Sequence, residues 1–205
     1  MCILVPTELE AKPLRELGLQ VNLIGMGPVE AAIRAYSLLR ENPRGPIILA
    51  GLGGAYPHSD LQIADLALAN VEYFGDLGIC SFLASEALKK EPAFTKELSL
   101  RHPLLEKVLA ILEERGFQVA LGGFVTVCCA SRDPVRAELL ATRHQGALIE
   151  NMEGFAVARV ARELERPLIE IRTVSNLLAE PTKPWEFERP LKRLAEALKW
   201  LKENL

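Results

Sequence analysis

Three glutamates and one asparagine follow apolar runs of the chain, at points where they could act together. Glu8 and Glu10 come after Cys2–Val5, and Glu153 comes after the run ALIE. A carboxylate can activate a water molecule, and a second can hold the vicinal hydroxyl groups of a sugar. An amide such as that of Asn176 can hydrogen-bond a leaving heterocycle. These groups suit cleavage of a sugar–base bond, and the structural alternative is that the glutamates are only favourable charges at helix N-termini.

Four polar or glycine-rich segments each follow an apolar run that predicts a strand. The segments are PTELE (6–10), GLGGAYP (51–57), NMEG (151–154) and SNLLAEP (175–181). Ligands of open α/β sheets bind beyond the carboxyl ends of the strands. If the four strands run parallel, all four segments lie at the same edge of the sheet, and we expect the binding site there.

The glycine-rich segments do not match a dinucleotide- or phosphate-binding motif. The dinucleotide pattern needs a third glycine where this chain has Glu30 after GMGPV and Tyr56 after GLGGA, and the chain has no GK[ST] step. Glycines at a strand end still indicate a close approach to the backbone. Either a flat ligand or another chain segment can make that approach, and the sequence leaves both open.

Apolar periodicity alternates between strand and helix patterns along the chain. The predicted strands are Cys2–Val5, Val21–Ile24, Pro46–Ala50, Ile63–Tyr73, Phe117–Val127, Ala147–Glu150 and Pro167–Val174. The predicted helices are Glu8–Leu17, Pro28–Arg40, a helix through Leu104–Leu112 that stops at Gly116, Gly154–Leu164 and Trp185–Leu205. This order predicts one α/β domain over residues 1–205, with a mixed, mainly parallel twisted sheet flanked by helices in three layers. Gly122-Gly123 predicts a bent or bulged strand, and the irregular range 75–102 is a candidate loop or lid.

The overall composition excludes several classes of partner. The chain has 24 Lys and Arg against 27 Asp and Glu, so it lacks the basic surface that nucleic acid or an anionic membrane requires. An aromatic content of 6% argues against stacking on single-stranded bases. The cysteines (2, 80, 128, 129) and histidines (58, 102, 144) lack the spacing of metal ligands, and we expect no metal. Without a signal peptide or a membrane-length apolar stretch, the sequence predicts a cytoplasmic protein.

Several motifs carry a resemblance to a known family. GMGPVEAA, GLGGAY, NMEGFAVA and IRTVSN resemble the purine nucleoside phosphorylase/nucleosidase superfamily, in particular the methylthioadenosine/S-adenosylhomocysteine nucleosidases. VPTELEA, GLGGAYP and EYFGDLGI are most similar to the futalosine hydrolases of the alternative menaquinone pathway. The resemblance spans nearly the whole chain and implies a nucleoside phosphorylase-like fold, a small purine nucleoside substrate, water as nucleophile and no cofactor. The family also implies a homo-oligomer, a dimer or larger.

The resemblance implies roles for individual residues. Glu10 would activate the attacking water, and Glu153 would accept the hydroxyl hydrogens of the ribose, with Met152 in contact with the same sugar. The residues implied to line the base pocket and the water site are Gly51, Gly53 and Gly54. Ser175 and Asn176 match a Ser–Asp pair of the family, whose aspartate assists departure of the base at N7. This chain therefore has an amide where the family has a carboxylic acid.

The amide at position 176 points toward a 6-oxopurine base. Hypoxanthine presents acceptors at N7 and O6, which suit the NH2 group of Asn176, whereas adenine presents an acceptor and an amino donor, which suit a protonated carboxyl group. An amide cannot protonate N7, so it stabilises the leaving base only by hydrogen bonding. An amide can also pair with adenine through its oxygen, so an adenine nucleoside stays an alternative.

The sequence thus predicts an N-ribosyl hydrolase that cleaves futalosine into hypoxanthine and dehypoxanthine futalosine. The alternatives are an adenine-type nucleosidase, a phosphorylase and a non-catalytic nucleoside-binding protein. A phosphorylase needs cations for its phosphate, and ILAGLGGAY has none, although Arg15, Arg34 or Arg172 could lie closer in the fold. For the carboxylate on the tail of futalosine, the candidate cations are His58 and Arg132.

Overall fold

The computed structural model describes residues 1–42, 45–80, 85–86 and 95–205. The helices in this part of the chain are α1 (Glu8–Glu16), α2 (Pro28–Glu41), α3 (Pro103–Glu114), α4 (Pro134–Arg143), α5 (Gly154–Glu163) and α6 (Glu188–Asn204). The strands are β1 (Cys2–Val5), β2 (Val21–Leu23), β3 (Ile47–Ala55), β4 (Leu66–Phe74), β5 (Ile79–Cys80), β6 (Ser85–Glu86), β7 (Glu97–Ser99), β8 (Val119–Thr126), β9 (Ile149–Asn151) and β10 (Leu168–Leu177). The predicted α/β class is confirmed.

Strands β3 and β10 are longer than predicted, because both continue through segments that were expected to follow the strands. β3 runs past Ala50 through GLGGA, and β10 runs past Val174 through SNL. The two strands pair in parallel over almost their full length, with a register shift at Ser175. The candidate glycines and Asn176 therefore lie on paired strands and not on loops.

Helix α4 is not among the predicted elements, although its start carries ordinary signals. The Asp133 side chain accepts a hydrogen bond from the backbone N–H of Val135 over 2.9 Å, and Pro134 occupies the first turn. An aspartate cap followed by proline is a common helix start. The buried face of α4 has only Ala137, Leu140 and Ala141, which is too short a pattern to be distinctive.

The main sheet is mixed and partly closes on itself. β2, β1, β3 and β10 run parallel, whereas β4, β8 and β9 run in the opposite direction. β10 pairs with both β3 and β4, and β9 pairs with the end of β3, so that β3, β10, β4, β8 and β9 form a ring. The assumption that all four site-bearing strands are parallel is wrong for β9, where Glu150 pairs antiparallel with Gly54. Because β9 runs back along β3, the NMEG segment still arrives beside Gly53.

The irregularity predicted at Gly122-Gly123 lies in the neighbouring strand. Gly122 pairs with Ala69 and Gly123 with Val71, which leaves Asn70 of β4 without a partner in the register. The bulge is therefore in β4, opposite the two glycines of β8.

Helices cover both faces of the sheet, which confirms the predicted layers. α1, α3 and α6 pack over a core that includes Leu14, Leu112 and Leu198. α2 and α5 pack over a core that includes Ala35 and Val157. Among the described helices, none combines the length and the apolar character that crossing a membrane requires.

The candidate loop or lid at 75–102 lies only partly within the described residues. β7 pairs antiparallel with β4, with Leu98 opposite Glu72, and β5 pairs with β6. Residues 81–84 and 87–94 lie outside the described part of the chain.

Candidate active site

A cavity of about 380 Å³ lies between the segments that follow β1 and β9 and the second halves of β3 and β10. Seven of the eight predicted site residues line it, namely Glu10, Met152, Glu153, Gly53, Gly54, Ser175 and Asn176. Many of the other lining residues are apolar, including Pro6, Leu9, Met26, Leu52, Ala130, Leu178, Trp185 and Phe187. An apolar cavity of this size with a few convergent polar groups is typical of a small-molecule site.

Glu10 is held by donors on both carboxylate oxygens. The backbone N–H and the hydroxyl of Thr7, which caps α1, donate to Oε2 over 3.0 and 2.6 Å. The backbone N–H of Leu52 donates to Oε1 over 2.9 Å. Burial raises the pKa of Glu10, although the bonds from Thr7 and Leu52 and the charge of Arg172 oppose this rise. A fixed carboxylate with a raised pKa is suited to accept a proton from water.

Glu153 is held by the guanidinium group of Arg172, which projects from β10. Both Nη atoms of Arg172 lie 3.3 Å from Oε2 of Glu153, and the backbone N–H of Gly27 donates to Oε1 over 3.1 Å. The Nε atom of Arg172 donates to Glu170 over 2.9 Å. Burial opposes the charge of Arg172, but Glu170, Glu153 and Glu10 outweigh it and raise the pKa of the guanidinium group. Arg172 therefore stays charged and supplies the cation that buried Glu153 needs.

Gly51, the eighth predicted residue, does not line the cavity. It leaves space for the side chains of Glu10 and Arg172. A Cβ atom at this position would lie 2.7 Å from Nη1 of Arg172 and 2.7 Å from Oε1 of Glu10. Of the two readings of the strand-end glycines, close approach by another part of the chain applies at Gly51.

The amide of Asn176 is oriented by its neighbour Ser175. The hydroxyl of Ser175 lies 2.9 Å from Oδ1 of Asn176 and 3.3 Å from the carbonyl oxygen of Gly53. When Oδ1 accepts this bond, the NH2 group remains to face a ligand, and it has no hydrogen bond to the described residues. Asn176 is buried and lines the cavity, so its NH2 group can donate to an acceptor on a bound molecule.

Two aromatic residues at the cavity were not predicted. Trp185 is 51% exposed and Phe187 is 38% exposed, with their rings edge to face at 6.5 Å. Their sequence signal is weak: the segment KPWEF has large aromatic side chains in otherwise polar surroundings. They extend the apolar wall of the cavity toward solvent.

Among the described residues, Arg172 is the only cation that lines the cavity. Arg15 and Arg34 form exposed ion pairs with glutamates of their own helices. His58 lies 3.5 Å from an exposed glutamate of α4 and does not line the cavity. Arg132 lines an adjoining depression, which shares Ala130, Asn176, Leu178 and Trp185 with the cavity. Neither His58 nor Arg132, the candidates for binding the tail carboxylate, therefore lines the cavity. Of the three arginines considered for phosphate binding, Arg172 lines it.

The chain belongs to the Phosphorylase superfamily, whose family model matches residues 4–203.

Individual relatives narrow the comparison. The chain is 31% identical to the futalosine hydrolase of Thermus thermophilus, over 97% of this chain and 93% of that protein. It is 28% identical to the 5′-methylthioadenosine/S-adenosylhomocysteine nucleosidase of Bacillus subtilis, over 75% of this chain and 65% of that protein. The fold matches a futalosine hydrolase mutant of Helicobacter pylori with a TM-score of 0.87 at 20% identity, over 99% of this chain and 98% of that one. The resemblance seen in the sequence motifs is confirmed.

Proposed function

We propose that this protein is a nucleosidase that hydrolyses the N-glycosidic bond of futalosine, releasing hypoxanthine and dehypoxanthine futalosine. The observation that carries the proposal is that Glu10 and Glu153, two buried carboxylates with separate supports, line one cavity together with the amide of Asn176. The similarity to a futalosine hydrolase along nearly the whole chain supports the choice of substrate.

In the proposed mechanism, Glu10 accepts a proton from a water molecule as the glycosidic bond lengthens toward an oxocarbenium-like state. Glu153 accepts the hydroxyl hydrogens of the ribose, so that binding energy aligns the sugar with the water. The NH2 group of Asn176 donates to N7 of the departing base. Since an amide has no acidic proton to give, the proton that the base takes up comes from solvent or from another group.

Water is the proposed nucleophile in preference to phosphate. The guanidinium group of Arg172 is already bonded to Glu170 at 2.9 Å and to Glu153 at 3.3 Å. A phosphate ion in the cavity would therefore meet the carboxylates of Glu10 and Glu153 without an uncommitted cation among the described lining residues.

The test is hypoxanthine release from futalosine by the purified protein, with and without inorganic phosphate. We expect equal rates in both conditions and a sugar product that carries no phosphate. Methylthioadenosine is assayed in parallel, because the Bacillus subtilis relative is named for it. Preferential cleavage of methylthioadenosine would support the adenine-type nucleosidase instead, and dependence on phosphate would support a phosphorylase. Binding without cleavage would support a nucleoside-binding protein.

We also infer that residues 1–205 act as one domain that assembles into a homo-oligomer in the cytoplasm. Helix α2 exposes Val29 (70%), Ile33 (59%) and Tyr36 (40%), an apolar surface that a second copy would cover. Free thiols at Cys2, Cys128 and Cys129 suit a reducing compartment. Light scattering measures the mass of the wild type and of Ile33→Glu, and a wild-type monomer would contradict the assembly.

A further inference from the structure

Beneath the cavity, inside the ring of strands, Glu72 and Glu170 bring two carboxyl groups together. Both residues are 0% exposed, on the adjacent antiparallel strands β4 and β10. A Cβ atom at Gly154 would collide with Oε1 of Glu72 and Oε2 of Glu170, so these two oxygens converge on one point at the start of α5. Their convergence allows a hydrogen bond between the two carboxyl groups. A hydrogen bond between two carboxyl groups requires a proton on one of them.

In their other hydrogen bonds, the two carboxyl groups accept from N–H and hydroxyl groups of neighbouring residues. The hydroxyl of Thr126 donates to Oε2 of Glu72 over 2.7 Å, and the NH2 group of Asn151 donates to Oε1 over 2.6 Å. The Nε atom of Arg172 donates to Oε1 of Glu170. Among the described residues, Oε2 of Glu170 has no N–H or hydroxyl donor. A proton on Oε1 of Glu72 would satisfy it.

The charges around the pair favour retention of this proton. The groups that face it are Arg172 on the same strand as Glu170, Glu153 between β9 and α5, and Tyr56 after β3. With Glu10, which also lies near Arg172, four carboxyl groups therefore share one guanidinium group. Burial, together with the charge of Glu170, raises the pKa of Glu72 well above its usual range. Burial also raises the pKa of Tyr56, whose hydroxyl is uncharged at neutral pH.

We propose that Glu72 and Glu170 share one proton and are positioning residues for Glu153. Glu170 holds Nε of Arg172, and the Nη atoms of Arg172 hold the carboxylate of Glu153. Glu72 holds the NH2 group of Asn151, whose Oδ1 accepts the backbone N–H of Glu153 over 2.9 Å. The pair thus supports the side chain and the backbone of Glu153 by separate routes. The effect on catalysis rests on the proposed function, in which Glu153 binds ribose.

The geometry requires a carboxyl group at position 72 but not at position 170. Oε1 of Glu72 accepts a bond from Asn151 and donates one to Glu170, which a protonated carboxyl oxygen can do and an amide NH2 group cannot. At position 170, an amide oxygen can accept from Arg172 while the amide nitrogen donates to Glu72. Glu170→Gln therefore replaces the shared proton by a permanent N–H and leaves Glu72 ionised, so that the pair keeps one negative charge.

The kinetic test uses any purine nucleoside that the wild type cleaves. Glu72→Gln is expected to raise KM about 10- to 100-fold with a smaller change in kcat, whereas Glu170→Gln keeps KM within about threefold. In the wild type, KM rises as the pH passes the raised pKa and the pair loses its proton, and Glu170→Gln lacks this rise. Glu196→Gln, an exposed change on α6, is the matched control. Equal losses in the two buried variants, or losses confined to kcat, would overturn the positioning role.

The spectroscopic test needs no substrate. Infrared difference spectra between the wild type and Glu170→Gln at neutral pH are expected to show a protonated carboxyl band in the wild type alone. Absence of that band would overturn the shared proton, and this holds even if Glu72→Gln fails to fold. If the band is present but the wild type cleaves no nucleoside, the shared proton stands and the proposed function fails.

Discussion

The carboxylate of Glu10 completes the capping box of α1, and the same residue lines the cavity. Hydrogen bonds from Thr7 and Leu52 hold it in position. A group that is already oriented before substrate binds loses no free energy to reorganisation during the reaction.

Glu10→Gln is expected to lower kcat by about 10²- to 10⁴-fold, because an amide cannot accept the proton of water. Binding of substrate, measured by calorimetry with the slow variant, should change little. In the wild type, kcat/KM should rise with pH through the raised pKa of Glu10, since the ionised form is the base. Glu8→Gln is the control, because Glu8 lies on the same helix with its side chain 65% exposed. Normal turnover in Glu10→Gln would remove Glu10 from the base role.

Asn176→Asp is expected to shift base preference toward adenine nucleosides. A protonated aspartate can donate to N7 and accept from the 6-amino group, whereas the amide of Asn176 suits the two acceptors of hypoxanthine. We expect the ratio of kcat/KM for methylthioadenosine over futalosine to rise about 10- to 100-fold. Asn204→Asp, near the end of α6, controls for the added charge. An unchanged ratio would contradict the assigned role of Asn176.

At the scale of elements, most of the strands and helices were predictable from the sequence, but the ends of β3 and β10 were not. Apolar runs marked the starts of β3 and β10, yet the glycines and SNL looked like loop sequence, because a strand that continues into a binding site loses its apolar pattern. The antiparallel direction of β9 was also not readable, since direction depends on pairing partners that are distant in sequence.

The buried residues that position the candidate site were less predictable from the sequence than the residues that line the cavity. Glu10, Glu153 and Asn176 were recognisable because they follow apolar runs and match family motifs. Glu72 and Glu170 alternate with apolar neighbours, as solvent-facing residues of a strand would. Because the strands close into a ring, the face of the sheet that carries Glu72 and Glu170 points inward. Their burial is therefore a consequence of the tertiary fold.

Gly154→Ala is expected to destabilise the protein, although the same change inside a helix usually stabilises it by about 1 kcal/mol. The added Cβ atom would displace Glu72 or Glu170 from the start of α5. We expect the free energy of unfolding to fall by about 1–3 kcal/mol in urea titrations. Lys199→Ala on the exposed side of α6 is the control and should stay within about 0.5 kcal/mol of the wild type. A Gly154→Ala variant as stable as the wild type would show that the carboxyl pair has room to move.

At the scale of the whole molecule, the ring of strands encloses acidic groups whose pKa values are raised by burial, including Glu72, Glu150 and Glu170. The net charge of the whole chain is −3, and this value gives no indication of the buried acidic groups. These buried carboxyl groups therefore contribute to the dependence of the protein's stability on pH.

The shared proton predicts that stability falls as the pH rises. The native pair keeps a proton that an unfolded glutamate has released above about pH 4.3, so its contribution is complete below that pH and is lost as the pH approaches the raised native pKa. Within that interval, the wild type should lose about 1.4 kcal/mol per pH unit more than Glu170→Gln, which has no shared proton to lose. Urea unfolding over a pH series that starts at about pH 5 and rises measures this difference, in which the other titrating groups cancel. Glu196→Gln should follow the wild type, whereas a Glu170→Gln curve parallel to the wild type would show that the buried pair holds no proton.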